Sequence, residues 1–365
     1  MKIGITCYPT YGGSGIVATE LGLELANRGH EVHFISYANP IRLDPGIPRI
    51  HYHEVEVSNY PLFQYPPYCL ALASRMAEVA AGYDLDLLHV HYAIPHSIAA
   101  LLAKQMTADR RLPFVTTLHG TDITLVGADR SYFPITKFSI QQSDGITTIS
   151  QYLRERTVDV FGIANPIRVI PNFVNCDLYH PDPERRPKEK CLVHLSNFRP
   201  VKRVPDCIRI LKEVRRSTPA HLLMVGDGPE RGPAEMLARE LGVTAHVSFL
   251  GKQDHVERLL PQNHVLLMPS ETEAFGLAAL EAMACGVPPV ATRTGGVPEL
   301  INDGVDGFLE PVGDIAAQAA RVVSLLTDDT LCESMSSAAR RTAETRFSSA
   351  LIIPQYERCY QDVCA

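Results

Sequence analysis

Short apolar runs rich in β-branched residues alternate with stretches of helical spacing, and this rhythm passes through the chain twice. In the first half, residues 2–8, 31–37, 87–92, 114–119, 145–149 and 168–171 read as strands, and residues 15–28, 67–82, 95–106 and 151–161 as helices. Runs this apolar suit strands covered on both faces, as in a parallel sheet with helices above and below. After a segment near residues 172–190, rich in proline and charge, the pattern restarts. Strands are expected at 191–197, 221–226, 246–250, 264–269 and 287–292, and a helical tract from residue 315 onward. The fold class is therefore α/β, with two doubly wound Rossmann-like domains. The expected boundaries are 1–171, 172–345 and a C-terminal helical tract, 346–365, that either closes its own domain or crosses back to the first. Open parallel sheets bind ligands beyond the carboxyl ends of their strands, so the chemistry is expected in a cleft that two such domains face.

Length agrees, since 365 residues exceed one ordinary core. With 45% hydrophobic and 21% charged residues the chain is of globular composition. A net charge of −7 without a basic stripe argues against a nucleic-acid partner. The nearest basic run, Arg185, Arg186, Lys188 and Lys190, lies among Pro181, Pro183 and Pro187 and reads as a solvated linker. The nine cysteines form no Cys-x-x-Cys pair and no zinc-finger spacing with histidine. That pattern fits reduced thiols rather than a disulfide frame or structural zinc. The opening apolar run, residues 3–7, is too short for a signal-peptide core or a spanning helix, so a cytoplasmic chain with no stable membrane insertion is expected.

Several segments carry possible chemistry. Residues 273–281, Glu-Ala-Phe-Gly-Leu-Ala-Ala-Leu-Glu, follow a strand and open a helix at Gly276, where free N–H groups and the positive dipole end suit a phosphate. Phe275 and Leu277 flank that point. Glu273 and Glu281 stand about two helical turns apart if the segment is helical throughout, a spacing that grips two parts of one ligand. Taken alone, a helix-capping Glu273 and a surface Glu281 explain the same residues. The Gly12 to Gly15 turn after the first strand presents N–H groups to an anion, or is a plain tight turn. Lys202, with Arg199 or Arg203, follows the first strand of the second half, where a cation neutralises a diphosphate; a solvated basic patch is the alternative. His119 ends a strand and enters a glycine turn. His89 and His91 share a strand face, but with no third ligand at suitable spacing they read as packing rather than a metal pair.

Order and spacing join these segments. Gly12-Gly13-Ser14-Gly15, His119-Gly120-Thr121-Asp122, Val225-Gly226-Asp227-Gly228-Pro229, residues 273–281 and Thr294-Gly295-Gly296-Val297-Pro298-Glu299 together resemble the retaining glycosyltransferases of family 4, which have the GT-B fold. The resemblance covers nearly the whole chain. It implies His119, Lys202 and Glu273 as catalytic residues, with His119 hydrogen-bonded to the donor sugar. It implies donor binding by Gly13, Gly15, Arg199, Phe275, Gly276, Leu277 and Glu281, with Glu273 on sugar hydroxyls and Glu281 on ribose. The family usually has an arginine five residues before the lysine, whereas here that position is Asn197, so Arg199 is the expected second cation.

Within the family, Cys7-Tyr8-Pro9-Thr10, His91-Tyr92-Ala93-Ile94-Pro95-His96 and residues 196–203 resemble members that join N-acetylglucosamine to L-malate, the first step of bacillithiol synthesis. That implies UDP-GlcNAc and L-malate as partners, with no cofactor and no metal. The two malate carboxylates call for cations and hydroxyl donors. Ser14, Tyr92, Thr117 and Arg154 are the expected acceptor-binding residues, although Arg154 also reads as a helix-surface charge. A homodimer stays open, since oligomeric state is not legible here. No second carboxylate is paired with Glu273, so same-face substitution is expected rather than a covalent intermediate. Rival readings are an inositol phosphate or lipid acceptor, a GT-B sugar-nucleotide 2-epimerase, and a non-catalytic sugar-nucleotide sensor.

Overall fold

The computed structural model describes residues 1–10, 12–44, 46–58, 61–182, 184 and 187–365. It divides into two compact units, Met1–Pro171 with Ile352–Ala365, and Asn172–Leu351. In the first, the strands are β1 (Lys2–Thr6), β2 (Glu31–Ser36), β3 (Ile50–Glu54), β4 (Leu87–His91), β5 (Phe114–Leu118), β6 (Gly145–Thr148) and β7 (Ile167–Val169). They form a seven-stranded sheet in the order β3-β2-β1-β4-β5-β6-β7, and every neighbouring pair is parallel. Ile3, Ile5, Leu88, Val90 and Phe114 are fully buried, as expected of strands covered by helices on both faces. One strand, β3, was not expected. Its sequence Ile-His-Tyr-His-Glu has no apolar run, and it lies at the edge of the sheet, where only His53 of its five residues is buried.

The second unit contains β8 (Cys191–Leu195), β9 (His221–Val225), β10 (Val247–Gly251), β11 (Val265–Met268), β12 (Pro289–Thr292) and β13 (Phe308–Glu310). They form a six-stranded sheet in the order β10-β9-β8-β11-β12-β13, again parallel throughout. The three residues of β13 are too few to show in a pattern reading. In each sheet the strand order reverses once, between β1 and β4 and between β8 and β11. Loops leaving a parallel sheet on either side of such a reversal part from one another, and the crevice between them is where ligands lodge.

The segment after Pro171 is less of a solvated linker than its composition implies. Asn172, Phe173, Val174 and Tyr179 are buried, and Val174 exchanges backbone hydrogen bonds with Phe347 and Ser349. Lys190 reaches Asp329 at 2.9 Å. Pro183, Arg185 and Arg186 of the expected basic linker lie outside the described residues. The last helix, Ser349–Cys364, carries Tyr356 and Tyr360, both fully buried in the first unit, where Tyr360 Oη lies 2.8 Å from His89 Nδ1. Arg111 holds the carbonyls of Val363 and Ala365 at 3.0 and 3.1 Å. Among the described residues no helix is long and apolar enough to cross a membrane.

Candidate active site

The second unit gathers its polar side chains at its order reversal. The chain leaving β8 carries Lys202 and the chain leaving β11 carries Glu273. Lys202 Nζ donates to Glu273 Oε1 at 2.6 Å, and the same oxygen accepts from Ser270 Oγ at 2.9 Å. The loops are also tied through their backbones, Glu271 N donating to the Val201 carbonyl at 2.8 Å. Downstream, the turn at Thr294, Gly295 and Gly296 clasps Glu273 from behind: Gly296 N donates to the Glu273 carbonyl at 2.9 Å. A Cβ on Gly295 would stand 1.9 Å from that carbonyl, and its φ is +56°, so only glycine fits. The glycines of this motif thus serve the glutamate.

The helix after this loop, Leu277–Ala284, starts at Gly276, whose φ of 99° turns the chain into it, and no side chain caps it. Its first N–H groups therefore offer an anion site at the same reversal. Because the helix begins only at Leu277, Glu273 lies in the loop. The two glutamates are not stacked on one helix as the helical-spacing argument supposed. Nor is Glu281 a surface residue. It is 4% exposed and accepts from Tyr179 Oη at 2.9 Å. Arg340 holds Tyr179 in place, donating to the carbonyls of Tyr179 and Ala284, each at 2.6 Å. Phe275 is buried edge-on against Phe347, ring centres 5.6 Å apart, and anchors the loop rather than facing outward.

The cations separate by their partners. Arg203 Nε is taken by Asp206 Oδ2 at 2.6 Å, which assigns it to the helix that follows. Arg199 is exposed. Asn197, where the family pattern leads one to expect arginine, keeps its Oδ1 buried without a partner among the described residues. Beneath the loop, His194 bridges the Leu267 carbonyl at 2.9 Å and Ser196 Oγ at 2.8 Å. Burial lowers its pKa to about 4 and so keeps it neutral.

In the first unit the exits of β1, β4 and β5 converge. The helix Gly13–Asn27 opens at Gly12 without a side-chain cap, leaving the N–H groups near Gly13, Ser14 and Gly15 directed outward. A Cβ on Gly15 would stand 2.5 Å from the Tyr8 carbonyl, so the glycine permits the helix to start hard against the end of β1. Tyr8 packs edge-on to Tyr92 at 5.2 Å and against His96 at 4.6 Å. Tyr92 Oη lies 2.7 Å from Thr121 Oγ1, and its ring stacks on His119 at 5.6 Å.

His119 is 8% exposed, with Nε2 2.8 Å from His91 Nδ1. Behind it, the Asp122 carboxylate accepts from the backbone N–H groups of His119, Gly120 and Ala93 at 3.1, 2.8 and 3.3 Å. Asp122 therefore ties the turn after β5 to the turn after β4. Burial pushes its pKa up to about 6 even against those donors. Burial lowers His119 and His89 to about 3 and His96 to about 4, and takes His91 well down, so the cluster is neutral at neutral pH.

One expected acceptor residue needs revision. Thr117 is fully buried, and its hydroxyl is engaged by His89 Nε2 and Thr147 Oγ1, both at 2.6 Å. The strand-end hydroxyl thought available is part of the sheet interior. Arg154 is exposed on the helix Gln151–Phe161, lining a cavity of about 340 Å³ with Val158, Asn165 and Ile167. Conversely, Tyr8, Asp122, Tyr179 and Ser270 were not singled out. Asp122 stood in the quoted His-Gly-Thr-Asp motif, whereas Tyr179 reaches Glu281 across a long sequence separation that leaves no local signal.

Two parallel-sheet units, each with polar side chains and an uncapped helix start at its order reversal, define a GT-B glycosyltransferase. A family model described as Glycosyltransferase Family 4 matches residues 11–178, and one described as Glycosyl transferases group 1 matches residues 177–342. N-acetyl-alpha-D-glucosaminyl L-malate synthase of Bacillus anthracis is 48% identical over 371 residues, covering 100% of this chain and 97% of that protein. A GDP-mannose-dependent alpha-(1-6)-phosphatidylinositol monomannoside mannosyltransferase of Mycolicibacterium smegmatis is 30% identical, over 78% of this chain and 80% of that one. The chain belongs to glycosyltransferase family 4. Among solved structures, sucrose-phosphate synthase from Thermosynechococcus elongatus superposes with a TM-score of 0.81 at 22% identity, over 99% and 98% of the two chains. Anabaena HepE in complex with UDP and glucose superposes with a TM-score of 0.82 at 22% identity, over 99% of both. These two likenesses concern the fold.

Proposed function

We propose that this glycosyltransferase moves N-acetylglucosamine from UDP-GlcNAc to the hydroxyl of L-malate with retention at the anomeric carbon, the first step of bacillithiol synthesis. The observation that carries the acceptor is the 48% identity, end to end, with the Bacillus anthracis L-malate synthase. The geometry supports the donor side. Lys202 and Arg199 at the exit of β8, and the uncapped helix start at Gly276 and Leu277, supply positive charge and N–H donors for a departing diphosphate. Glu273 offers sugar hydroxyls its second oxygen, and Glu281, pre-oriented by Tyr179, takes the ribose. The first unit contributes the N–H groups around Gly13 and Gly15 and the neutral His119 to the transferred sugar, and Ser14, Tyr92 and Arg154 to the acceptor.

Among the described residues Glu273 pairs with Lys202 and Ser270 and with no second carboxylate, which favours same-face substitution. In that route the acceptor hydroxyl proton passes to the leaving phosphate oxygen as the new glycosidic bond forms, so no separate base is needed. No metal or cofactor is required in this reading. The test is a donor-saturated assay against L-malate, related hydroxy acids and inositol phosphate, with product mass and anomeric configuration measured. Failure of malate to act as acceptor removes the acceptor assignment. A β-linked product removes the same-face route. Conversion of UDP-GlcNAc alone supports the epimerase instead.

A further inference from the structure

We propose that Glu31, His33 and His51 form a site for a divalent transition-metal ion of the zinc class, on one face of the first unit's sheet where β2 and β3 begin. Register assembles it. His33 and His51 are direct partners across the parallel β2–β3 pair, and Glu31, two residues before His33, shares its face. His33 Nε2 and His51 Nε2 each lie 3.3 Å from the same oxygen, Glu31 Oε1, and the three ligand atoms lie within 4.8 Å of one another. An ordinary N–H···O bond is shorter, about 2.9 Å. Atoms bonded at about 2.0–2.1 Å to one tetrahedral ion are spaced about 3.3 Å apart.

The surroundings fit a ligand set. His33 is fully buried, and its other nitrogen, Nδ1, lies 2.9 Å from His53 Nε2. That bond fixes the ring, as partners behind a metal-ligating histidine do. When Nδ1 carries the proton, Nε2 presents a lone pair toward the Glu31 carboxylate, an opposition that a cation between them relieves. Lys2 approaches only the far carboxylate oxygen, at 4.0 Å. The side chains of His51 and Glu31 are 43% and 33% exposed and leave an entry and a position for water. The His51 ring now stacks on His33 at 4.6 Å and 22°, so binding turns the exposed ring while the buried one stays.

The ligands sit at the strand starts, whereas the exits that carry Tyr92 and His119 are at the other end of the sheet. Such an ion would pin the edge strand β3 to β2 and take no part in turnover. The test is zinc titration of untagged, chelator-treated full-length protein by calorimetry, with cobalt as a spectroscopic reporter. The expected result is one zinc per chain, at least tenfold weaker in His51→Asn and in Glu31→Gln, with turnover of both variants unchanged. Cobalt should give visible bands that are lost in the same variants, and zinc should raise the unfolding temperature of the wild type only. Absence of stoichiometric binding, or equal affinity in wild type and His51→Asn, overturns the proposal.

Discussion

Replacing Lys202 with methionine keeps most of the side chain's apolar stem and removes one charge. In the structure that charge sits 2.6 Å from Glu273, the two side chains being 22% and 13% exposed. A surface pair contributes at most about 1 kcal/mol, but a charge-assisted bond this sheltered contributes about 1.5–3 kcal/mol. For a unit of this size each kcal/mol moves the melting temperature by about 2–4 °C. Lys202→Met should therefore lower it by roughly 3–12 °C. Glu273→Gln should cost less, because the amide oxygen still accepts from Lys202. In a double-mutant cycle the two changes should couple by about 1–2 kcal/mol. Catalysis should respond more steeply. If Lys202 neutralises the diphosphate as the anomeric bond breaks, Lys202→Met should slow transfer by about 10²–10³-fold, while the dissociation constant for UDP-GlcNAc rises only severalfold. The measurements are calorimetric unfolding, donor titration and single-turnover transfer. Additive stabilities within about 0.3 kcal/mol, or a transfer rate within threefold of wild type, would falsify the roles given to this pair.

Other expectations follow from the same geometry. Gly295→Ala should displace the Glu273 loop and cost at least about 1–2 kcal/mol from the positive φ alone, since its Cβ would meet the Glu273 carbonyl at 1.9 Å; an unchanged melting temperature and turnover would remove the clasp. Tyr179→Phe should leave Glu281 short of a donor, lowering stability by about 1–2 kcal/mol and raising the Michaelis constant for the donor, which steady-state kinetics reads directly. Arg154→Ala should raise the malate constant selectively, and a loss spread equally over both substrates counts against the assignment. The first unit should also be acid-labile. His89, His96 and His119, held neutral to about 3, 4 and 3, contribute stability present above pH 6.5 and lost as pH falls toward their folded values. Asp122, raised to about 6, acts oppositely, its contribution being lost as pH rises through 6. His91 and His53 are lowered as well, so the histidines of the first unit outweigh the one raised carboxylate and acidification through pH 5 should cost stability. The chain has 14 tyrosines and no tryptophan, so near-ultraviolet circular dichroism of tyrosine reports it; a signal flat from pH 7 to 4 refutes the sign.

The sequence alone determined the class of fold and the order of its glycine and carboxylate motifs. Buried parallel strands must be continuously apolar, so Ile3 to Cys7 or Val265 to Met268 announce themselves. Helix starts and glycine turns are equally local, which is why Gly12 to Gly15 and Glu273 to Glu281 could be read as ligand-facing segments. What remained hidden depends on partners distant in the chain. The polar edge strand β3 shows no apolar pattern because only His53 of its five residues is buried. Thr117 looked like a free hydroxyl until the sheet placed His89 and Thr147 beside it, and nothing local to Glu281 shows that it is buried with Tyr179 Oη 2.9 Å away. Local periodicity reports which residues are buried. Only the folded chain decides which buried polar groups meet, because each must find its partner across strands and loops far apart in sequence.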